Sequence, residues 1–204
     1  MGTAVKRPFV VGYIGTHGMA HGLENILRAA DHLKSTPIKF LFVGAGARRE
    51  ELIAESKQLE LGNVVFVPSQ PKDRMPAFWS LCDVALVHLR NTLLFQTVIP
   101  SKIFEAMGMG LPVLLVCPEG EASRIVIGEA AGIWVPPEDP VALANAVVSL
   151  QQDPALLARL AQASRLAAPR YTRERQAREM LSRLEQVART TYPSKPPISL
   201  RSSS

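Results

Sequence analysis

The sequence has few of the residues that mark disulfide, metal or membrane proteins. Only two of its 204 residues are cysteines, Cys82 and Cys117. Each lies in an apolar segment, so we expect buried, reduced thiols and neither a disulfide nor a zinc site. No apolar run reaches the roughly 18 residues of a membrane span. Residues 1–9 lack the apolar core of a signal peptide, so the predicted location is cytoplasmic.

Two familiar nucleotide-site motifs and a metal-binding pattern are also absent. The glycine-rich loop between Gly15 and Gly22 contains no GxGxxG fingerprint, and no GKS or GKT sequence follows it. A dinucleotide-dependent oxidoreductase and a P-loop protein are therefore not supported. His17 and His21 lie four residues apart without carboxylate or cysteine partners nearby, so no metal site is predicted.

What the sequence does contain is an alternation of short apolar runs and amphipathic segments. The runs predict six strands, at Phe9–Gly15, Ile38–Val43, Val64–Val67, Val84–His88, Val113–Val116 and Ile133–Val135. A helix is predicted between each pair of successive strands, the last of them near Ser123 to Glu129. Fully apolar strands separated by helices predict a doubly wound, parallel six-stranded α/β sheet, the Rossmann-like arrangement. Ligands of such sheets bind at the carboxyl ends of the strands.

The domain prediction is one ligand-binding domain over residues 9–190. A short starting segment or linker, 1–8, precedes it, and a disordered tail rich in proline and serine, 191–204, follows it. The net charge of +5 includes many arginines in the last third of the chain, which we interpret as a solvated helix face. Contact with an anionic membrane is an alternative, and nucleic acid is not expected. An apolar stripe between Ala177 and Val187 predicts a core-facing side of the last helix.

The loops after the first three predicted strands contain candidate ligand contacts. Glycine permits positive φ and a close approach of the backbone to a ligand, and loop amides and carbonyls can hydrogen bond to the edge of a base. A plain strand-to-helix turn is the alternative in every case. The candidates are Gly15, Thr16, His17, Gly18, Gly44, Gly46, Ser69 and Gln70.

The most informative stretch is the predicted helix that starts at Pro100, Ser101 and Lys102 and contains Glu105 one turn later. Unpaired N–H groups at a helix start suit a phosphate group, and a carboxylate accepts hydrogen bonds from sugar hydroxyls. Together these groups predict a nucleotide-sugar site. The preceding loop, Leu89 to Ile99, contains apolar side chains and is predicted to fold over the ligand.

Five blocks, in order, carry a resemblance to a known family. They are the Gly15 loop, Val43-Gly44-Ala45-Gly46, Cys82-Asp83-Val84, Lys102 to Pro112, and the helix start at Glu138-Asp139-Pro140. From about Phe9 to Val187 the sequence resembles the C-terminal half of a GT-B glycosyltransferase of the retaining family four. The resemblance implies that this half binds the nucleotide-sugar donor, whereas an N-terminal domain, absent from this chain, binds the acceptor.

The resemblance also implies roles for single residues. Glu105 corresponds to the carboxylate that holds the ribose hydroxyls, and Lys102 is expected to stabilise the departing diphosphate. Thr97 stands where the family has a second glutamate, so the glutamate pair is incomplete. The family's two basic residues near the first strand correspond approximately to Thr16 and His21. His21 is a tentative catalytic residue, and Pro100 and Ile103 complete the predicted donor contacts.

The departures from the family pattern are similar to a branch that transfers amino sugars in bacterial surface-polysaccharide assembly. This implies a UDP-linked, N-acetylated hexose donor, a glycan or lipid-linked acceptor, no cofactor and no obligatory metal. We expect the chain alone to bind the donor without turnover, in the cytoplasm or at the inner face of the membrane. A GT-B nucleotide-sugar epimerase and a non-catalytic nucleotide-sugar-binding domain are the alternatives.

Overall fold

The fold is seen in a computed structural model that describes residues 7–191. Six strands form one sheet within these residues. They are β1 (Phe9–Ile14), β2 (Ile38–Val43), β3 (Val64–Val67), β4 (Val84–His88), β5 (Val113–Val116) and β6 (Gly132–Val135). Each lies within one residue of its predicted bounds, because each strand is a short run of mostly apolar residues in the sequence.

All five strand pairings are parallel, and the strand order is β3-β2-β1-β4-β5-β6. This is the doubly wound order in which the direction of winding reverses between β1 and β4. The prediction of a six-stranded, parallel, Rossmann-like sheet is confirmed. The reversal leaves a crevice at the carboxyl ends of the central strands, where the loops after β1 and β4 diverge.

Eight α-helices connect or follow the strands in the part of the chain that the structure describes. They are α1 (Glu24–His32), α2 (Arg49–Gln58), α3 (Met75–Trp79), α4 (Lys102–Gly108), α5 (Glu121–Gly128), α6 (Pro140–Gln152), α7 (Pro154–Ala167) and α8 (Arg173–Thr191). Short 3₁₀ turns at Met19–His21 and Leu93–Gln96 were not predicted. A segment of three or four residues makes about one turn. It is too short for an apolar periodicity to appear in the sequence.

Helix starts follow local hydrogen bonds. Asp139 and Asp153 accept hydrogen bonds from the amides of Ala142 and Leu156, each 2.8 Å long, and so cap α6 and α7. Helix α5 begins two residues before the predicted start at Ser123. The Ser123 hydroxyl accepts a hydrogen bond from the Gly120 amide and donates one to the Gly120 carbonyl. These two bonds cap the first turn of α5.

The core lies between the sheet and the helices that cover it. Tyr13 and Phe42 stand side by side in the β1–β2 register and are fully buried with Ile26 and Leu27 of α1. Helix α1 packs on α6, and α4 packs on α7. Both cysteines are buried free thiols, as predicted. No helix within residues 7–191 has the length and apolar character needed to cross a bilayer.

The chain divides into two compact units, one ending at Ala168 and one beginning at Pro169. The second contains α8, in which Met180, Leu181, Leu184 and Val187 are each 57–67% exposed. The predicted core-facing stripe is therefore wrong for these four side chains. The predicted domain 9–190 spans both units, and the predicted tail falls almost wholly outside the described residues.

Candidate functional site

A cavity of about 290 Å³ opens at the carboxyl edge of the sheet. We call it the edge cavity. Its walls come from the segments that follow β1, β2 and β3 and from the start of α4, which are the places where doubly wound sheets bind ligands. Eight residues predicted from the sequence line it: Gly15, Thr16, Gly44, Ser69, Gln70, Ser101, Lys102 and Glu105.

Lys102 reaches the cavity across Gly15. A β-carbon added to Gly15 would lie 2.0 Å from Lys102 Cε and 2.6 Å from its Nζ, and Gly15 has φ +148°. Only glycine therefore leaves room for the lysine side chain in its observed position. The Lys102 ammonium also lies 5.6 Å from the centre of the Tyr13 ring, a cation–π contact.

The loops after β1 and β2 interlock beneath the cavity. His17 donates its amide to the Ala45 carbonyl at 2.9 Å, and Arg48 donates to the His17 carbonyl at 3.0 Å. A β-carbon at Gly44 would lie 1.9 Å from the Gly15 oxygen, and one at Gly46 would lie 2.4 Å from the His17 oxygen. Both glycines have φ near +154°, at +153° and +155°. The two backbones touch because neither glycine carries a side chain.

Two opposite charges of α4 face the edge cavity. Lys102 is half-buried, and this burial lowers its pKa, although the neighbouring Glu105 carboxylate acts in the opposite direction. The Ser101 hydroxyl donates to Glu105 Oε1 at 3.1 Å and holds the carboxylate. The amides of Phe104 and Glu105 donate to the Ser101 carbonyl, so the helix start offers a phosphate fewer N–H groups than the sequence suggested. The Lys102 side chain is therefore the main positive group that α4 contributes to the cavity.

His17 lies beside the edge cavity and does not line it. Its side chain is fully buried among Tyr13, Phe42 and Phe66, with ring centres 5.9, 6.0 and 6.2 Å away. Neither ring nitrogen has a hydrogen-bond partner among the described residues. Burial, reinforced by the positive charge of Arg49, lowers the pKa of His17 to about 4. The imidazole is thus a neutral packing group in this structure.

Six further predicted residues do not line the cavity. Gly46 and Pro100 stand next to lining residues in the chain, Gly18 lies two residues after Thr16, and Ile103 of α4 is completely buried. Thr97 is exposed, and its hydroxyl donates to the Leu94 carbonyl at 3.1 Å. His21 is half-buried near Lys102 and Tyr13. Their roles in donor binding stay predictions.

Five lining residues were not among the predicted donor contacts: Ile14, Val43, Ala45, Lys72 and Met75. Ile14 and Val43 are the last residues of β1 and β2 and come directly before the predicted glycine loops. Lys72 lies on the 3₁₀ turn Lys72–Arg74 after β3. Its position just after Ser69 and Gln70, which were predicted, is the signal that would have found it. The edge cavity thus has two lysines, one on each side.

No group of three or more His, Cys, Asp or Glu side chains within the described part of the chain is arranged to hold a metal ion. The polar groups of the edge cavity are two ammonium groups, one carboxylate, hydroxyls, an amide and loop backbone. This set suits an anionic ligand that also carries hydroxyl groups.

The fold and site together define a doubly wound α/β domain with a ligand cavity at its topological switch point, the architecture of nucleotide-binding domains. Sequence comparison is more specific. Residues 3–167 match the family described as "Glycosyl transferases group 1", and the chain belongs to that family. The resemblance inferred from the five sequence blocks is confirmed at the family level.

Two curated relatives show what the chain is similar to. It is 32% identical over 139 residues to the probable glycosyltransferase WbjE of Pseudomonas aeruginosa, covering 68% of this chain and 34% of the relative. It is 28% identical over 164 residues to the putative colanic acid biosynthesis glycosyl transferase WcaI of Escherichia coli K12, covering 71% and 40%. The chain therefore spans well under half the length of these relatives.

Two solved structures share the fold. Anabaena Alr3699/HepE in complex with UDP superposes with a TM-score of 0.77 at 20% identity, over 88% of this chain and 49% of that one. The C-terminal domain of the glycosyl transferase group 1 protein LpcC from Francisella tularensis superposes with a TM-score of 0.68 at 20% identity, over 81% and 87%. The second match covers most of an isolated C-terminal domain.

Proposed function

We propose that this chain is the donor-binding half of a glycosyltransferase that uses a UDP-linked, N-acetylated sugar. The acceptor is a glycan or a lipid-linked glycan of a bacterial polysaccharide pathway. The observation that carries the proposal is the presence of Lys102 and Glu105 in one cavity with the loops that follow three parallel strands. A diphosphate needs a cation, and a ribose needs a hydrogen-bond acceptor, and the edge cavity offers both.

The comparisons supply independent support for the chemical class. One relative, WcaI, is named as a putative glycosyl transferase of colanic acid biosynthesis, and the solved Anabaena structure is a complex with UDP. Both belong to proteins of the same fold or family as this chain. The choice of UDP and of an N-acetylated sugar goes beyond these names and depends on the resemblance of the Pro100–Glu105 segment to amino-sugar transferases.

The proposed chemistry assigns a separate task to each charged group. The ammonium of Lys102 stabilises the negative charge that builds on the diphosphate as the glycosidic bond breaks. Glu105, held by Ser101, accepts hydrogen bonds from the ribose hydroxyls. The loop containing Ser69 and Gln70 contacts the base. Because Lys102 is preorganised by Gly15, little reorganisation accompanies the development of charge.

The acceptor side of the reaction lies on the part of the relatives that this chain does not match. We propose that the chain alone binds the donor in the absence of acceptor and does not transfer sugar. We also propose a cytoplasmic site of action, at or near the inner face of the membrane, where lipid-linked acceptors would be found.

Isothermal titration calorimetry of the 204-residue chain tests the proposal. UDP, GDP, ADP and the N-acetylhexosamine conjugate of UDP are titrated into the wild type, Lys102→Ala and Glu105→Gln. We expect saturable UDP binding, weakened roughly 10- to 100-fold by loss of the charge-assisted contact of Lys102. Glu105→Gln should weaken UDP more than it weakens inorganic pyrophosphate, titrated in parallel, because pyrophosphate lacks the ribose that Glu105 is proposed to contact.

Matched controls lie at the other edge of the sheet. Lys57→Ala, at the end of α2, and Glu60→Gln, in the following turn, remove the same charges from exposed positions and should leave binding unchanged. If Lys57→Ala weakened UDP binding as much as Lys102→Ala does, the loss of affinity would reflect the net charge of the chain and not a specific contact of Lys102. Absence of binding to every nucleotide, with circular dichroism intact, would contradict the proposal and favour a domain that has kept the fold without the ligand.

A further inference from the structure

The last residue of β4 is a histidine with both ring nitrogens engaged. His88 is 1% exposed; its Nδ1 lies 2.6 Å from the His21 carbonyl oxygen, and its Nε2 lies 3.0 Å from the Asn25 side-chain nitrogen. From the sequence, His88 is predicted only as the last residue of a strand. Its surroundings connect the end of β4 to the turn after β1, on opposite sides of the switch point.

The partners of His88 determine which nitrogen carries its proton. A backbone carbonyl only accepts, so Nδ1 donates to the His21 oxygen. The ring is buried and neutral, since burial lowers the pKa of His88 to about 4, and Nε2 is therefore an acceptor. The amide of Asn25, itself 5% exposed, supplies the donor that Nε2 needs. Asn25 thus selects the tautomer that binds His21.

The same turn is held at two further points. The Arg90 amide donates to the Ala20 carbonyl at 3.1 Å, and the Arg90 guanidinium pairs with the Glu24 carboxylate. Gly22 closes the turn with φ +57°, and a β-carbon there would lie 3.0 Å from Arg90 Cγ. The 3₁₀ turn Met19–His21 is therefore hydrogen bonded both to the His88 side chain at the end of β4 and to the Arg90 backbone that follows it.

The turn places the His21 ring near the edge cavity. The ring meets Tyr13 edge-on, with 6.1 Å between ring centres, and it lies close enough to Lys102 to feel its charge. The ring also interacts with the backbone of His88, while the His88 ring binds the backbone of His21. The two histidines therefore hold each other, and only His21 lies on the Lys102 side.

We propose that His88 is a positioning residue that, through the His21 carbonyl, holds the His21 ring at Tyr13, near Lys102 and beside the edge cavity. The proposal rests on the proposed function, because it gives the turn a task in donor binding. His88 itself does not touch the edge cavity and is not a catalytic residue. Its replacement should act on the ligand only by releasing the turn.

Two substitutions separate positioning from packing. His88→Leu fills the space and removes the donor to His21. His88→Asn retains an N–H close to the position of Nδ1. The direct readout is the pKa of the His21 imidazole, measured by ¹H–¹⁵N NMR in the absence of nucleotide. The titratable or charged groups around it are Tyr13, His17, His88 and Lys102, and those around His88 include Glu24 and Arg90.

In the wild type, burial and the Lys102 charge lower the pKa of His21. We expect His88→Leu to return it towards its ordinary value of about 6.5, because the released ring gains water and moves away from the lysine. UDP affinity should fall about tenfold or more. His88→Asn should retain most of both properties. A general loss of stability would lower the melting temperature of both variants without this difference in the His21 pKa.

Several outcomes would overturn the proposal. One is an unchanged His21 pKa in folded His88→Leu, and another is the same change in both variants. If neither variant folds, the ¹⁵N shifts of wild-type His88 decide the matter, since a proton on Nε2 would exclude donation to the His21 carbonyl. Failure of the wild type to bind UDP would contradict the proposed function alone, because the pKa readout needs no ligand.

Discussion

The side chain of Lys102 lies directly across the α-carbon of Gly15, so that a single added methyl group would come within 2.0 Å of Lys102 Cε. The first loop and the first residue of α4 are 87 positions apart in sequence, yet each determines the other's conformation. The predicted phosphate contact therefore depends on a residue that carries no functional group.

Gly15→Ala is expected to reproduce much of the effect of Lys102→Ala on UDP binding. The methyl group displaces the flexible end of Lys102, and the residue must also retain φ +148°, which strains an alanine by about 1–3 kcal/mol. Calorimetry should show a loss of affinity of about tenfold or more. Gly62→Ala is the matched control, since a β-carbon there meets nothing within 4 Å. Full affinity in Gly15→Ala would show that Lys102 has another route into the cavity.

UDP affinity is expected to fall on the alkaline side at a lower pH than an ordinary lysine would give. Burial lowers the pKa of Lys102, so its cationic, ligand-binding form is present below that pKa and is lost as pH rises through it. The transition should therefore lie below the ordinary lysine value of about 10.4. Ionisation of the ligand affects wild type and Lys102→Ala alike, so the difference between their pH profiles isolates the lysine. If UDP affinity had the same pH dependence in wild type and Lys102→Ala, Lys102 would not contact the nucleotide.

His17→Phe is expected to flatten the acid side of the stability curve. The folded pKa of His17 is about 4, below the unfolded value of about 6.5. The unfolded state therefore binds the extra proton between these values, and wild-type stability falls as pH decreases from 6.5 to 4. Each unit of pKa difference corresponds to about 1.4 kcal/mol. Phenylalanine abolishes this proton uptake and removes two unpaired buried nitrogens, so stability at pH 7.5 should not fall.

Urea unfolding of wild type and His17→Phe at pH 7.5, 6, 5 and 4.5 measures this effect. His32→Gln is the control, because His32 is exposed at the end of α1 and should leave the pH dependence intact. His88 titrates in the same window, so part of the slope should survive in His17→Phe. An undiminished slope would mean that His17 does not protonate on unfolding.

Neither cysteine is expected to react with an aromatic disulfide reagent at pH 8 in the native state. Burial raises the pKa of Cys82 to about 12 and that of Cys117 to about 11, so thiolate is scarce and both sulfurs are covered. Two thiols per chain should react after denaturation. Rapid labelling of one native thiol would place it in a segment that opens readily, and Cys82→Ser and Cys117→Ser would identify which one.

The extent to which the sequence predicted the structure differs between elements. β2 to β5 were predicted to the residue because each is a short run of almost entirely apolar residues, which stands out from the amphipathic helices around it. Helix α5 was misplaced by two residues because a side-chain bond of Ser123, invisible in the apolar pattern, defines its start. The α8 stripe had the correct periodicity, yet its four large apolar side chains are exposed.

The sequence predicted which segments meet at the site, but not the directions in which their side chains point. The sequence showed that Gly15, Lys102 and Glu105 would meet, since all follow strands whose carboxyl ends share one edge. It did not show that the backbone of the first loop would turn the His17 ring away from the cavity. Lys72 was missed because one exposed lysine in a loop resembles any other until the cavity wall is seen.

The interlocked loops after β1 and β2 have a consequence for ligand entry. Their hydrogen bonds, from Gly15 to Val43, from His17 to Ala45 and from Arg48 to His17, continue the pairing of the two strands beyond the sheet. The floor of the edge cavity thus shares the hydrogen-bonded framework of β1 and β2, and its amides should exchange with deuterium nearly as slowly as those of β1. A nucleotide that binds on this floor loses conformational entropy of its own. The protein backbone beneath it loses little more, because it was already ordered on folding.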